Sequence, residues 1–130
     1  MNHYVADTHA LFWYLTASPR LGSQATQAFE EGVRGQAVIY IPAVVLAELY
    51  FLNEKVGRPL DFPSEYDRLR QSGQFVFVAF VPEDVLDFDV DAAVPEMHDR
   101  IIVGVARRLG AACLSLDPYI VDSGLAQVVW

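Results

Sequence analysis

Four carboxylates of this chain lie beside apolar segments. Glu48 is the only acidic or basic residue in the run IYIPAVVLAELYFL, which is apolar enough to be buried on nearly every side. Asp7 interrupts the run YVADTHALFWYL, Asp99 begins DRIIVGVA, and Asp117 follows AACLSL. A buried carboxylate without a partner costs several kcal/mol, so it is normally protonated, paired or bound to a metal ion. Acids so placed along the whole chain suggest one shared cation site that folding assembles.

Three of these acids also have structural interpretations. Asp7 and Asp99 fit the N-caps of the helices they precede, and Asp117, followed by Pro118, fits a turn. Glu48 has no such alternative, because no basic residue lies within one helical turn of it and a local ion pair is therefore excluded. We interpret Glu48 as functional and leave the other three open between structural and chemical roles.

Composition and charge limit the class of protein. A length of 130 residues predicts one domain, residues 1–130, and 53% hydrophobic residues exclude a disordered chain. No apolar run reaches the roughly 18 residues of a membrane span, and the first residues lack the features of a signal peptide. The single cysteine, Cys113, fits a small buried residue. We therefore expect a cytoplasmic protein without membrane association.

The net charge of −8, from 17 acidic and 9 basic residues, argues against a basic face that binds nucleic acid. Two features weaken this objection. Carboxylates that bind divalent ions are neutralised by them. Eight of the nine basic residues are arginines, which are the better ligands for phosphate. Charge alone leaves nucleic-acid binding open.

The elements that must position the acids alternate along the chain. Apolar runs predict strands at residues 3–6, 37–41, 74–80, 112–116 and 127–130. Helices are predicted at residues 8–17, 23–34, 42–55, 63–72, 82–88 and 99–109, with Ser23 as an N-cap and Gly110 as a C-cap. This alternation indicates an α/β sandwich whose central sheet of four to five strands is mostly parallel. Sites in such sheets form at the carboxyl ends of strands, where Asp7 and Asp117 fall.

The motifs, taken in order, resemble those of PIN-domain ribonucleases, in particular the VapC-like toxins of bacterial toxin–antitoxin pairs. DTHALFW from Asp7 resembles the opening D-T-H-A-L-x-W of one VapC branch, and AEL around Glu48 occupies the place of the helix-borne glutamate. DRIIVGVA from Asp99 resembles D-R-x-I-x-x-A, and LDPYI around Asp117, followed by DSG and VVW, resembles the closing segment. The chain departs from many relatives in the short EMHDR before the third acid, and in Ser115 where threonine is common.

The resemblance implies a PIN-like three-layer α/β/α sandwich and a Mg²⁺- or Mn²⁺-dependent endoribonuclease, the toxin of a toxin–antitoxin pair. Hard cations take oxygen ligands, and a bound ion generates hydroxide near neutral pH. Thr8 and Ser115 are expected to orient the acids through their hydroxyl groups. The implied partners are an RNA substrate, a cognate antitoxin and a second copy of the chain. The implied catalytic and metal-binding residues are Asp7, Glu48, Asp99 and Asp117.

Other functions stay open at this point. A housekeeping RNA-processing nuclease and a non-catalytic binding module fit the same fold. A receiver-like phosphoacceptor fits poorly, because it needs a lysine after a late strand and the only lysine is Lys55. An antitoxin gene beside this one would separate the toxin from the housekeeping nuclease.

Several further residues receive structural interpretations. His3, His9 and His98 lack the spacing of a metal site, and His9 and His98 are interpreted as structural or surface residues. Residues 87–91 start like a calcium loop but lack its glycine and final glutamate, so we expect a solvated acidic turn. Arg107 and Arg108 are expected to be exposed cations at a helix end. The rings of the first and third helices, more than one core obviously needs, are expected in the core or at interfaces: Phe12, Trp13, Tyr14, Tyr50 and Phe51. A platform that stacks on RNA is the alternative for the stripe of the first helix, residues 11–15.

Overall fold

The computed structural model describes residues 1–130 and is organised around one five-stranded sheet. The strands are β1 (Asn2–Ala6), β2 (Ala37–Pro42), β3 (Phe75–Val78), β4 (Ala112–Leu114) and β5 (Val128–Val129). They lie in the order β3-β2-β1-β4-β5, and each adjacent pair is parallel. The predicted parallel sheet is confirmed.

Helices flank the sheet, as in the predicted sandwich. They are α1 (Thr8–Leu15), α2 (Ser23–Val33), α3 (Ala43–Lys55), α4 (Phe62–Gln71), α5 (Met97–Leu109) and α6 (Pro118–Ser123), and a 3₁₀ helix covers Pro82–Asp87. All predicted boundaries agree with these to within two residues, but α6 was not predicted. None of these helices is long and apolar enough to span a bilayer.

Three capping residues differ from the sequence interpretation. Gly22, and not Ser23, is the N-cap of α2. Glu96 is the N-cap of α5 and accepts from the Asp99 amide, so that Asp99 lies inside the first turn. Asp117 and Pro118 begin helix α6 rather than a simple turn, because proline is well suited to the first helical position. Gly110 ends α5 in the left-handed conformation, as predicted.

Helix α3 is buried along only one side. Val45, Leu49 and Asn53, spaced four residues apart, face the core, whereas Tyr50 and Phe51 are 44% and 71% exposed. The expectation that the whole run is buried is therefore wrong, because an α-helix at the surface of a sheet presents only one face to it. The rings of α1 differ: Phe12 is buried in the core.

The acidic segment, residues 82–94, packs against α5. Asp91 is 1% exposed and pairs with Arg107 at 2.7 Å between Oδ1 and Nε, with a second hydrogen bond of 3.2 Å. A Cβ at Gly104 would lie 2.9 Å from Asp91 Oδ2, so this glycine makes room for the carboxylate. Arg108 pairs with other acids of the segment. The expectation of a solvated turn is wrong for Asp91, and Arg107 is only partly exposed, whereas Arg108 is exposed at the end of the helix as expected.

A second tie holds the acidic segment to the start of α5. The Arg100 Nε donates to the Val94 carbonyl at 2.7 Å, and its Nη1 donates to the Phe88 carbonyl at 3.4 Å. Arg100 follows Asp99 directly in the first turn. These bonds fix the turn that carries Asp99.

Candidate active site

The four acids reach one edge of the sheet because of its topology. Strands β2 and β3 extend from β1 on one side of the sheet, and β4 and β5 extend on the other side. The order in which strands are added therefore reverses between β1 and β4. Crevices form outside the carboxyl ends of strands at such a switch point. Asp7 directly follows β1, and Asp117 lies three residues after β4. Helices α3 and α5 bring Glu48 and Asp99 to the same cleft.

Asp7 caps a helix and also lines the acidic cleft. Its Oδ1 accepts from the Ala10 amide at 2.9 Å and caps α1. The side chain is nevertheless a member of the acidic cleft. Burial raises the pKa of Asp7, while hydrogen bonds from Ser115 and Ala10 act in the opposite direction.

Glu48 is half-buried and is held from two sides. The Thr8 hydroxyl donates to its Oε1 at 2.7 Å. The imidazole Nδ1 of His98 lies 3.5 Å from its Oε2 and 3.1 Å from Glu96 Oε1. The carboxylate has no partner within its own helix, but His98 reaches it from α5. The interpretation of His98 as a structural or surface residue did not anticipate this contact, which joins helices that are distant in sequence.

Asp99 shows most clearly that the acids repel one another. Its pKa is raised to about 7, first by burial and then by the charges of Asp117, Glu96, Glu48 and Asp7. A carboxyl group with this pKa binds a proton readily near neutral pH. A cation would relieve the same repulsion.

Asp117 caps helix α6, since its Oδ1 accepts from the Tyr119 amide at 2.9 Å and the Ile120 amide at 3.2 Å. The buried Ser115 hydroxyl accepts from the Asp117 amide at 3.0 Å. Ser115 and Thr8 therefore make hydrogen bonds of the kind that orients acids, although their role in activity stays a prediction.

One cleft of about 510 Å³ contains all four acids. Its other lining residues include the N-cap Glu96 and three rings, and no lysine or arginine lines it. Sequence reasoning did not assign the rings to the site: they are His9, Trp13 and Trp130. The spacing of His9 and Trp13, four residues apart on α1 just after Asp7, was a signal that could have placed these two there.

The donor chemistry of the cleft fits a hard divalent cation. Carboxylate oxygens are the ligands that Mg²⁺ and Mn²⁺ prefer. No three or more Asp, Glu, His or Cys side chains are already arranged to hold a metal ion. The mutual repulsion of the acids keeps them apart unless positive charge is present.

Comparisons with known proteins support one family. A family model described as PIN domain matches residues 4–122. Among solved structures, VapC20 of Mycobacterium tuberculosis, a sarcin–ricin loop cleaving toxin, has a TM-score of 0.73 at 13% identity, covering 98% of this chain and 99% of that one. VapBC2 from Rickettsia felis, bound to a promoter DNA fragment, has a TM-score of 0.67 at 13% identity, with coverages of 97% and 96%.

FitAcB from Neisseria gonorrhoeae is similar to a comparable degree, with a TM-score of 0.67, 14% identity and coverages of 96% and 95%. Comparison with curated protein sequences gives no match. At such low identity the solved structures show the fold alone. The family model, in contrast, extends over nearly the whole chain, including all four acids. The chain therefore belongs to the PIN domain family.

Proposed function

We propose that this PIN domain protein is a Mg²⁺- or Mn²⁺-dependent endoribonuclease that acts as the toxin of a toxin–antitoxin pair. The observation that carries the proposal is the convergence of four carboxylates on a cleft without lysine or arginine. Such a cleft repels an RNA phosphate unless cations enter it, and nucleases of this family generally use divalent metal ions.

Asp7, Glu48 and Asp99 are the proposed metal ligands, and Asp117 completes the set directly or through water. These acids would hold a divalent ion, which would supply Lewis-acid chemistry: activation of water near neutral pH and compensation of charge on the leaving oxygen. The protein contributes positioning. Thr8 fixes Glu48 by its 2.7 Å hydrogen bond, and the amides at the starts of α1 and α6 fix Asp7 and Asp117. No nucleophilic side chain is required.

Two kinds of observation support the toxin assignment and its partners. Similar folds occur in a sarcin–ricin loop cleaving toxin and in the VapBC2 complex with promoter DNA. In addition, apolar side chains of α3 and the acidic segment remain exposed, among them Phe51, Leu86 and Val90 at 71%, 81% and 58%. Exposed apolar side chains that lie together mark protein interfaces, and we propose that these side chains do so. We propose a cognate antitoxin and a second copy of this chain as the partners.

Cleavage of labelled RNA by the purified protein tests the enzymatic proposal. We expect cleavage with Mg²⁺ or Mn²⁺ and none after chelation with EDTA. Asp7→Asn and Asp99→Asn should lower the rate by about 100-fold or more while the protein stays folded. Asp67→Asn, an exposed aspartate on α4, is the matched control and should cleave at the wild-type rate. Full activity of either cleft variant would refute the assignment of the acids.

Expression in bacteria tests the toxin assignment separately. The chain alone should arrest growth, and expression together with an adjacent antitoxin gene should restore it. The Asp99→Asn variant should be harmless. A wild-type chain that cleaves RNA but does not arrest growth, and that ignores its gene neighbour, would favour the housekeeping nuclease. A chain that neither cleaves RNA nor binds metal would favour the non-catalytic module.

A further inference from the structure

The rings of the cleft form a continuous aromatic wall, defined as His9, Trp13 and Trp130, beside the four acids. We propose that this wall binds an unpaired nucleobase of the RNA next to the phosphodiester that is cleaved. The inference rests on the proposed function, because it names the part of the substrate that the cleft recognises.

The aromatic wall is assembled from distant parts of the chain. His9 and Trp13 follow one another along α1, with ring centroids 5.3 Å apart and planes tilted by 54°. Trp130 follows β5 and meets Trp13 edge-on at 5.7 Å. His9 is exposed, and both indoles are half-buried. All three rings line the cleft that holds the acids.

The position of Trp130 depends on a glycine. A Cβ at Gly22 would lie 2.5 Å from Cδ1 of the Trp130 indole and 2.6 Å from its backbone carbonyl carbon. Any other residue would therefore push this tryptophan out of place. The N-cap of α2 is thus fitted closely to the end of the aromatic wall.

The charge of the cleft indicates which part of RNA the aromatic wall contacts. Five acidic side chains line the cleft, and no lysine or arginine does. Proteins usually hold RNA through cationic contacts to phosphates, and these are missing here. The faces of nucleobases carry no net charge and stack on aromatic rings with little dependence on sequence. Bases inside a duplex have no free face, so the occupant is an unpaired nucleotide.

A comparison within α1 separates this wall from ordinary core packing. The ring of Tyr14 stacks on Phe29 at 4.1 Å with an interplanar angle of 6°, so one of its faces is already covered. Trp13, one residue earlier, meets its neighbouring rings only at tilted or edge-on angles and borders the cleft. No other ring is stacked on Trp13, which packs on the core and keeps part of its surface exposed in the cleft, where we propose that the base contacts it.

Intrinsic fluorescence tests the wall without requiring catalysis. The chain has only two tryptophans, Trp13 and Trp130, and both belong to the wall. Adding each of the four ribonucleosides, which are uncharged and cannot be cleaved, should quench the indole emission in a saturable manner. In Trp130→Phe and Trp13→Phe the remaining indole should still be quenched. If none of the four nucleosides quenches the emission in a saturable manner, the proposal is overturned, whether or not the protein is a nuclease.

Steady-state cleavage distinguishes stacking from a structural role. Trp13→Leu and His9→Ala should raise KM by about tenfold with little change in kcat, and Trp13→Phe should restore the wild-type KM. An RNA with an abasic nucleotide next to the cleaved bond should have a KM about as high with the wild-type protein as with Trp13→Leu and His9→Ala. Tyr66→Leu, whose ring packs on Phe77 of β3 at the opposite edge of the sheet, is the matched control and should keep the wild-type KM.

The outcomes separate the two proposals. Equal KM values for intact and abasic RNA, and for wild type and His9→Ala, would overturn base stacking and leave the nuclease standing. Absence of cleavage by the wild-type protein would overturn the nuclease, and the nucleoside titration would then decide the aromatic wall alone. His9 is exposed, so its replacement keeps the test valid if a tryptophan variant does not fold.

Discussion

Two groups of acids in this molecule face opposite electrostatic surroundings. In the cleft no lysine or arginine is present, and the neighbouring charges help to raise the pKa of Asp99 to about 7. In the acidic segment, arginines of α5 accompany the acids. Asp91, which is more deeply buried than any acid of the cleft, pairs bidentately with Arg107. Arg108 pairs with Asp87 at 3.1 Å.

The comparison shows that burial alone does not identify a functional carboxylate. Asp91 is buried because its charge is compensated within the protein, and it contributes to attaching the acidic segment to α5. The acids of the cleft have no lysine or arginine beside them, and His98 contacts only Glu48 and Glu96. Uncompensated charge of this kind is costly, and it is expected where a bound ligand supplies the compensating charge. The two groups are also connected, since the segment held by Arg107 leads directly into the turn that carries Asp99.

The largest effect is expected from removing the cation of the structural pair. Arg107→Met would leave Asp91 buried and unpaired, which should lower the free energy of unfolding by about 3 to 5 kcal/mol. Urea denaturation measures this loss. Arg20→Met, at an exposed arginine without an ion pair, is the control and should change stability by less than about 0.5 kcal/mol. Equal effects of the two substitutions would contradict the contrast between the groups.

In the cleft the expected effect has the opposite sign, because adding a cation should stabilise the folded protein. Mg²⁺ at about 100 times its dissociation constant should raise the free energy of unfolding of the wild-type protein by about 2.7 kcal/mol. Glu48→Gln retains the hydrogen bond from Thr8 but removes a charge, so this gain should shrink markedly. Thermal unfolding with and without Mg²⁺ measures both, with Asp67→Asn as the control. A gain that is the same in Glu48→Gln and wild type would show that the ion binds elsewhere.

The sequence was sufficient for the elements but not for the contacts between them. Periodic apolar runs and helix-breaking residues placed every strand and most helices, because these signals are local. Helix α6 was missed because Asp117–Pro118 suits a turn as well as a helix start. The pairing of Asp91 with Arg107, sixteen residues away, depends on how the acidic segment folds back on α5. Local patterns carry no signal for such a pair.

The same distinction holds within the site. Each of the four acids was identifiable because it stood beside apolar sequence, and the topology brings all four to one cleft. The contact of His98 with Glu48 spans 50 residues, and Trp130 reaches Trp13 across almost the whole chain. These partners depend on the order of strands in the sheet. The exposed side of α3 was also missed, because an apolar helix sequence does not indicate which face packs on the sheet and which face stays in contact with solvent.

A smaller effect is expected from the pH dependence of the metal-free protein. The folded pKa of Asp99 is about 7 and its ordinary value is 3.8, so the folded state binds the proton more tightly than the unfolded state. Stability from this group should therefore be greatest below about pH 4 and decrease as pH rises to about 7. After allowance for solvent screening of this half-exposed group, the decrease is on the order of 1 to 2 kcal/mol.

Denaturation of wild type and Asp99→Asn at a series of pH values isolates this contribution. Asp99→Asn should be the more stable protein above about pH 7, and the difference should disappear towards pH 4. Other acids titrate in both proteins and cancel in the comparison. If the difference in stability between the two proteins does not vary with pH, burial and the neighbouring charges do not raise the pKa of Asp99.

The smallest effect is expected from the second arginine of the structural group. Arg108 forms ion pairs with Asp84 and Asp87 at 3.6 and 3.1 Å, but all three side chains keep access to water. Solvent already compensates these acids, so Arg108→Met should lower the free energy of unfolding by less than about 1 kcal/mol. Urea denaturation of Arg108→Met and Arg107→Met compares the two stability losses for adjacent arginines of the same helix turn. A loss as large as that of Arg107→Met would mean that the total charge on the segment, rather than the burial of Asp91, determines its attachment to α5.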